Sequence, residues 1–581
     1  MLPWRSGFSG ALFCTVLLLK HLLCGPPIPP SGVFSRHILC FCTPLLLLAS
    51  CIGPPKAPQV REPAWTWPGV TERRVSVNLE RAAEAWDALQ DPRASRQEKQ
   101  QAEAAYERAL GFILKDWARG ELPRDWETGT VFEGKKGSYA VNLQPGPGNP
   151  QEVSPASLDR LILADKVRIA RDCEPVIEPG LGVPVVGQVL HSEELASKYP
   201  MMPLNGAQLT LTAVLEFDPP QAGQPRACHL HFYNPLRQPK ATVAGRSTTL
   251  AANYTASKEL ALNDGFLRRF SLTGLLFPDK VLDDAELYRL EIYDPKRIPM
   301  VFVHGLMSDP HIWYNTINAI YADPELRAHY QPWYFLYPSG MAVPATSWQL
   351  RQSLEQARAR LDPEGDDPGM NRMVMVGHSM GGLLSRMQTI DSGDGLWNAY
   401  FNCEAEKLMV SKSTLQRLKE TLRFEKQPYI KRLIFIAVPH KGSSMADRGI
   451  VSRLSALIRL PTDSMVLAKE IVTGNIDSLT PQMRDWGTFG FVSLGTLSPK
   501  HPYLKALNAQ PIPVPHHSIV GHFGKGPLLD SSDRVVPYSS SHLATGTEVV
   551  VPYWHGCVEK PEVIAEVKRR LKQHLRESGK L

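Results

Sequence analysis

The stretch Met373-Val-Met-Val-Gly-His-Ser-Met-Gly-Gly382 decides how the rest of the chain is read. Four apolar residues run into Gly-His-Ser-Met-Gly, and the apolar segment Leu383-Leu-Ser-Arg-Met387 follows. This pattern predicts a buried strand turning sharply into a helix. A serine at such a junction is either the nucleophile of a strand-to-helix elbow or part of an ordinary Gly-rich turn. Five residues alone do not choose between the two, because Gly and Ser are common. The partners supplied elsewhere, and their order, make the choice.

Outward from this stretch, strands alternate with helices from 298 to 577. Buried strands are expected at 298–305, 332–340, 371–379, 430–442, 515–524 and 547–556. Helices are expected at 309–330 with a Pro-marked break, at 347–362, from 380 onward and at 561–577. Such alternation predicts a mostly parallel sheet with helices on both faces.

Four motifs lie on these elements: Val303-His-Gly-Leu306, Gly377-His-Ser-Met-Gly381, Leu528-Leu-Asp-Ser-Ser-Asp-Arg-Val-Val-Pro537, and Val549-Val-Val-Pro-Tyr-Trp-His-Gly556. In this order, they make the region 298–578, about half of the chain, resemble an α/β-hydrolase of the lipase and esterase type. The resemblance implies a mostly parallel central sheet flanked by helices, with a helical cap and an N-terminal α+β extension. It implies Ser379 as nucleophile, with Gly377 and Gly381 allowing the tight elbow. A hydroxyl is a weak nucleophile at neutral pH and needs a base beside it. The family places that base after the last strand, which is His555 here. His542, His517 and His522 are rivals, and His378, the elbow serine's neighbour, is expected to point elsewhere. The family's acid precedes a Gly-Val-Val-Pro-like run, which fits Asp533, with Asp530 as competitor. Arg534 stands where that run usually has Gly, a departure from the pattern. The order serine, acid, histidine matches this fold. Acyl transfer also needs two donors aimed at the developing oxyanion. By resemblance these are the N–H groups of Leu306 and Met380. An ordinary strand-end turn is the competing reading of Val303–Leu306.

Long segments at 392–422 and 442–516 interrupt the alternation. Segments of that length should carry structure of their own. Ser-Arg-Leu-Ser-Ala-Leu-Ile-Arg-Leu460 and the run 465–473 suggest short amphipathic helices of a cap over an acyl cleft. A static cover and a moving lid are both open. The resemblance supports a carboxylic ester, of lipid or other acyl type, as substrate, and it requires no cofactor. No metal constellation competes, because the histidines lack His-Glu-x-x-His spacing. Thioester or amide hydrolysis on the same triad remains open, as does a scaffold that keeps the fold for binding.

The chain has 581 residues, a net charge of +6 and no basic block, so nucleic acid is not an expected partner. Two apolar stretches, 8–24 and 38–50, are each short for a membrane span. The second follows Arg36 and His37 and ends in Leu48-Ala-Ser-Cys51, which resembles a bacterial lipobox. This implies a targeting segment 1–51, lipidation at Cys51 and a membrane anchor. Ile52 after the Cys favours the outer membrane by the same resemblance. Residues 1–32 are surplus to that signal, and Val33 is an alternative start. Residues 52–75 read as a Pro-rich tether, 76–292 as a helical and strand-rich extension, and 293–581 as the catalytic domain. Within the extension, helices are expected across 76–118 with a break near Asp91-Pro92. Strands are expected at 207–217, 227–234, 270–277 and 287–294, flanking the hydrolase sheet. Of nine cysteines, Cys173, Cys228, Cys403 and Cys557 lie beyond the targeting region. In an exported protein they allow one or two disulfides of unassigned pairing.

Overall fold

The computed structural model describes residues 70–118, 129–145, 158–170, 173–192, 199–262, 265–443, 468–471, 474–487, 490, 492–524 and 526–579. The targeting segment with Cys51, most of the tether and the cap run 452–460 lie outside the described residues. Among the described residues, no helix is long and apolar enough to cross a membrane.

Helices α1 (Val70–Gln90) and α2 (Arg96–Ala118) form an antiparallel pair. The first begins at Val70, so the tether ends sooner than 75. Asp91 and Pro92 break the helical run. Ser95 then caps α2 reciprocally: its Oγ accepts from Glu98 N at 3.3 Å, and Glu98 Oε2 accepts from Ser95 N at 2.7 Å.

This pair covers a sheet of six strands: β1 (Thr130–Glu133), β2 (Ser138–Pro145), β3 (Arg160–Leu163), β4 (Val183–Val189), β5 (Ala207–Phe217) and β6 (Arg226–Tyr233). Their order is β1-β2-β6-β5-β4-β3, antiparallel except between β2 and β6. Trp86, Tyr106, Leu110, Leu215, Phe217 and Leu230 meet in its core. Of these, the strands at 207–217 and 227–234 were expected to flank the hydrolase sheet, as the one at 287–294 does in β7 (Glu286–Arg289). The six strands form a sheet of their own, because α1 and α2 supply the apolar layer that buries its face. A second expectation also fails. Residues 270–277 are not a strand but the end of a helix. After α3 (Ala256–Leu262), helix α4 spans Gly265–Leu276. An eight-residue apolar run fits strand or helix, and the preceding Gly265-Phe-Leu-Arg-Arg269 lengthens it beyond a typical strand.

The second sheet contains β7 (Glu286–Arg289), β8 (Ile298–Val303), β9 (Tyr330–Leu336), β10 (Met373–His378), β11 (Ile430–Ile436), β12 (His516–Gly521) and β13 (Thr547–Val551). Its order is β7-β9-β8-β10-β11-β12-β13. Only β7 runs antiparallel to its neighbour. Every residue of β8, β9 and β10 is buried, as a sheet covered on both faces requires. Val301, Val303, Met373 and Met375 face α5 (Val343–Leu361) and α6 (Met380–Met387). Met300, Phe302, Val374 and Val376 face the core that holds α7 (Pro561–Glu577). This strand order with crossing helices on both faces is the α/β-hydrolase fold. The chain places β9 on one side of β8 and β10 on the other, which opens a crevice at their carboxyl ends.

The extension is continuous with this body. Leu236, Tyr254, Leu267 and Phe270 share a core with β8 and α7. Thr255 Oγ1 donates to Asn318 Oδ1 at 2.6 Å, and Arg327 Nη2 pairs with Glu178 Oε2 at 2.6 Å. Among the described residues no disulfide joins Cys173, Cys228, Cys403 and Cys557, so the bridges that the sequence allows are not formed there. Cys228 and Cys557 are buried in separate cores, and burial pushes both thiols up to about 12.

Candidate active site

Ser379 sits where β10 ends and α6 begins. Its φ is 53° and its ψ is −126°, a conformation that a non-glycine residue adopts only under constraint. Close approach supplies the constraint. A Cβ on Gly377 would come within 2.5 Å of Gly382 Cα, and one on Gly381 within 2.2 Å of the Val303 carbonyl oxygen. The two glycines are therefore needed for contact distance, while the positive φ falls on the serine itself. Ser379 N donates to Ile436 O at 2.9 Å, and its carbonyl accepts from Gly382 N at 3.0 Å, which closes the elbow.

His555 follows β13. Its Nε2 lies 2.8 Å from Ser379 Oγ and its Nδ1 lies 2.7 Å from Asp533 Oδ2. Because Oδ2 of a carboxylate only accepts, Nδ1 carries the proton and Nε2 is left to accept from the serine hydroxyl. Asp533 is 1% exposed. Its Oδ1 accepts from Val535 N at 2.9 Å and Val536 N at 2.6 Å, so Oδ2 alone faces the imidazole. The backbone holds the pair as well: His555 N donates to Asp533 O at 2.9 Å.

The expected residues therefore meet, and their rivals do not. Asp530 is exposed in a turn at Leu528–Asp530. His542 pairs with Glu548 at 2.8 Å, where Tyr538 joins them. His517 is buried between Thr547 Oγ1 at 2.8 Å and Glu566 Oε1 at 2.7 Å. His522 donates its backbone N–H to Val551 O at 2.8 Å. His378 does point elsewhere: its Nε2 donates to the carbonyl of His555 at 3.0 Å. Arg534 has φ 76°, the conformation a glycine would take without strain, and its guanidinium lies 3.8 Å from the Phe523 ring centroid.

The turn after β8 lies beside the elbow, because Val303 pairs with Gly377 across the sheet. Gly305 packs so closely that a Cβ there would meet Ser379 Cβ at 2.9 Å. Met307 N is spent on Ser339 Oγ at 3.1 Å. Leu306 lies one residue earlier in this turn, and Met380 is the first residue of α6 after the serine. His304 stacks on Tyr337 at 4.1 Å between centroids, and burial lowers its pKa to about 4, so it stays neutral there. Tyr337 and Ser339 were not read from the sequence as site residues; their only signal is their place at the end of the strand beside β8.

Helices Gly395–Tyr400, Lys412–Leu422, Pro481–Trp486 and Pro502–Ala509 lie in the two long segments before and after β11. Leu396, Trp397, Leu418, Met483 and Leu504 share one core with Met380 and Leu383 of α6. The described residues offer one acidic group suited to a metal ion, Asp362, Asp366 and Asp367. It lies before β10, at the opposite end of the strands from Ser379. Arg358 already supplies a cation there, donating to Gly365 O at 2.9 Å with Asp362 Oδ2 at 3.6 Å.

No family model matches the chain, and no curated protein matches it. Solved structures do. A lipase from Bacillus licheniformis in mature form is 15% identical over 48% of this chain and 93% of that one, at a TM-score of 0.28. A lipase from Staphylococcus hyicus is 12% identical over 49% and 96%, at 0.32. EstA from Clostridium botulinum is 14% identical over 48% and 86%, at 0.29. At these scores the fold assignment rests on the strand order and the elbow of the chain itself.

Proposed function

We propose that this chain is a serine hydrolase of carboxylic esters, with lipid or other acyl esters as the substrate class. The relay Asp533–His555–Ser379, with its 2.7 and 2.8 Å contacts, is the observation that carries the reading. Ser379 Oγ attacks the ester carbonyl carbon as His555 Nε2 takes its proton. Asp533 keeps the imidazole oriented and stabilises its cation. The carbonyl oxygen becomes an oxyanion between Leu306 N–H and Met380 N–H. Collapse breaks the ester C–O bond, and the departing alkoxide takes the proton from Nε2. Water then adds to the acyl-enzyme through the same base, and Ser379 regains its proton as the acid leaves.

A fluorophosphonate probe tests the nucleophile. Wild type should be labelled and Ser379→Ala unlabelled, and labelling of both variants would remove Ser379 from the role. p-Nitrophenyl esters of increasing chain length then define the acyl preference. The exported, lipid-anchored location is a separate proposal supported by the sequence 36–51 alone. Radiolabelled palmitate incorporated by wild type and not by Cys51→Ser supports it; equal incorporation or none overturns it.

A further inference from the structure

The extension carries a helix whose contacts converge on one short segment of the candidate site. That segment is 304–311, the turn after β8 that holds Leu306 N–H. Helix α4 (Gly265–Leu276) reaches it by two routes. On one side, Ser271 Oγ donates to Asp309 Oδ2, and Arg268 Nη2 lies 2.5 Å from His311 Nε2. Asp309 Oδ1 in turn accepts from His311 N at 2.9 Å, so the carboxylate ties α4 to the segment's downstream end. On the other side, Gly274 O accepts from Gly340 N at 2.9 Å. Gly340 packs without room for a side chain: a Cβ there would lie 2.3 Å from the Leu275 carbonyl oxygen. The residues just before Gly340 grip the upstream end. Ser339 Oγ accepts from Met307 N at 3.1 Å, and Tyr337 OH donates to His304 O at 2.5 Å. Met307 has φ 55°, so the turn holds a conformation that needs outside support.

We infer that α4 is a positioning element for the oxyanion turn, with Ser271 and Ser339 as the positioning residues on its two routes. The extension thereby completes the site that the hydrolase sheet frames. This rests on the serine-hydrolase reading above. An oxyanion donor acts only in the transition state, so a displaced Leu306 N–H should lower kcat and leave ester binding alone.

Ser271→Ala and Ser339→Ala should each lower kcat on the order of 10- to 100-fold, with KM within about twofold of wild type. The rate of fluorophosphonate labelling should fall in parallel, because phosphonylation also builds negative charge on the oxygen held by the two N–H groups. Ser271→Thr keeps the hydroxyl and should restore both rates. Wild-type kcat in both alanine variants, a rise in KM alone, or failure of the threonine variant to restore the rate overturns the inference. Loss of activity only in proportion to loss of thermal stability also overturns it. Ser379→Ala, assayed alongside, separates the two readings. If that variant stays active, the triad itself has failed; if it is inactive while Ser271→Ala is normal, only the role of α4 falls.

Discussion

The two sheets of this chain have separate cores and differ in what their faces meet. In the seven-stranded sheet, β8, β9 and β10 are buried along their whole length, and helices cover both faces. In the six-stranded sheet, α1 and α2 cover one face, and near the end of β5 the half-buried His229 of β6 lies 3.5 Å from Asp218. His229 keeps 26% of its side-chain exposure. Such half-solvated pairs add little stability. The covered sheet holds a serine at positive φ at the carboxyl end of its central strand β10. The six-stranded sheet carries no comparable elbow among the described residues. The strained serine and the buried relay therefore collect at the carboxyl end of the seven-stranded sheet, and the extension contributes through α4 and its own core. Substitutions in the two sheets should separate activity from stability.

The largest separation is expected at the elbow. Ser379→Ala should reduce kcat by about 10⁴-fold or more, leaving only what oriented N–H donors and binding provide. Ser379→Gly should be as inactive yet more stable by about 1 kcal/mol, since glycine relieves the φ of 53°. Ester hydrolysis and urea unfolding on the same preparations check both. An unchanged or lower stability in the glycine variant would mean that the elbow is not strained.

Asp533→Asn comes next. The asparagine can still accept from Val535 N and Val536 N, so the loop keeps its shape. It can present an N–H to His555 Nδ1 and favour the wrong tautomer, so kcat should fall by about 10³- to 10⁴-fold with little change in melting temperature. Gly381→Ala should act through packing instead. Its methyl would lie 2.2 Å from the Val303 carbonyl oxygen, at the join of β8 and the elbow. A loss of roughly 3 kcal/mol is expected in urea unfolding, together with activity.

These residues show why the sequence reveals one sheet more fully than the other. The parallel strands are continuous apolar runs, and their chemistry sits at strand ends, where motif and position coincide. Ser379, Asp533 and His555 could thus be placed, and they do meet. The acid was harder to select, since Asp530 differs from Asp533 by burial and not by composition. The extension offers no such anchors. Its strands look the same whether they extend the hydrolase sheet or pair among themselves, and pairing across 109 residues, as between Tyr106 and Leu215, leaves no local trace. Residues 270–277 misread as a strand because their apolar run is short and Gly274 weakens the helical signal. Ser271 and Ser339 were unreadable for a further reason: their importance lies in what α4 and the end of β9 touch, which only the packed chain determines.

Acid should sharpen the contrast between the regions. His304, His501 and His574 belong to the body built on the seven-stranded sheet, and burial lowers each to about 4. Unfolded, an imidazole binds a proton near 6.5. Between 6.5 and 4 the unfolded chain thus holds more protons, so stability of this body falls as pH falls through that window. In α2, burial and the nearby Glu103 raise Glu107 to about 7. There the folded state holds the extra proton, so stability of the extension falls as pH rises from about 4.5 to 7. Hydrogen exchange followed by mass spectrometry at pH 4.5 and 7.5 should show protection shifting in opposite directions in the two sheets. A shift in the same direction in both would mean that they unfold as one unit.

The smallest expected effect is the cleanest measure of independence. Tyr106 OH donates to Leu215 O at 2.9 Å and accepts from Leu215 N at 2.7 Å, bridging α2 to β5 inside the core. Tyr106→Phe keeps the ring against Trp86 and leaves both backbone groups without that partner. The cost should be about 2 kcal/mol, read from the urea midpoint. Because Tyr106 contacts neither α4 nor the turn after β8, kcat measured well below the unfolding transition should equal that of wild type. If kcat falls with it, the six-stranded sheet governs the site as a whole body. If kcat holds while Ser271→Ala loses activity, the influence of the extension on the site is confined to α4.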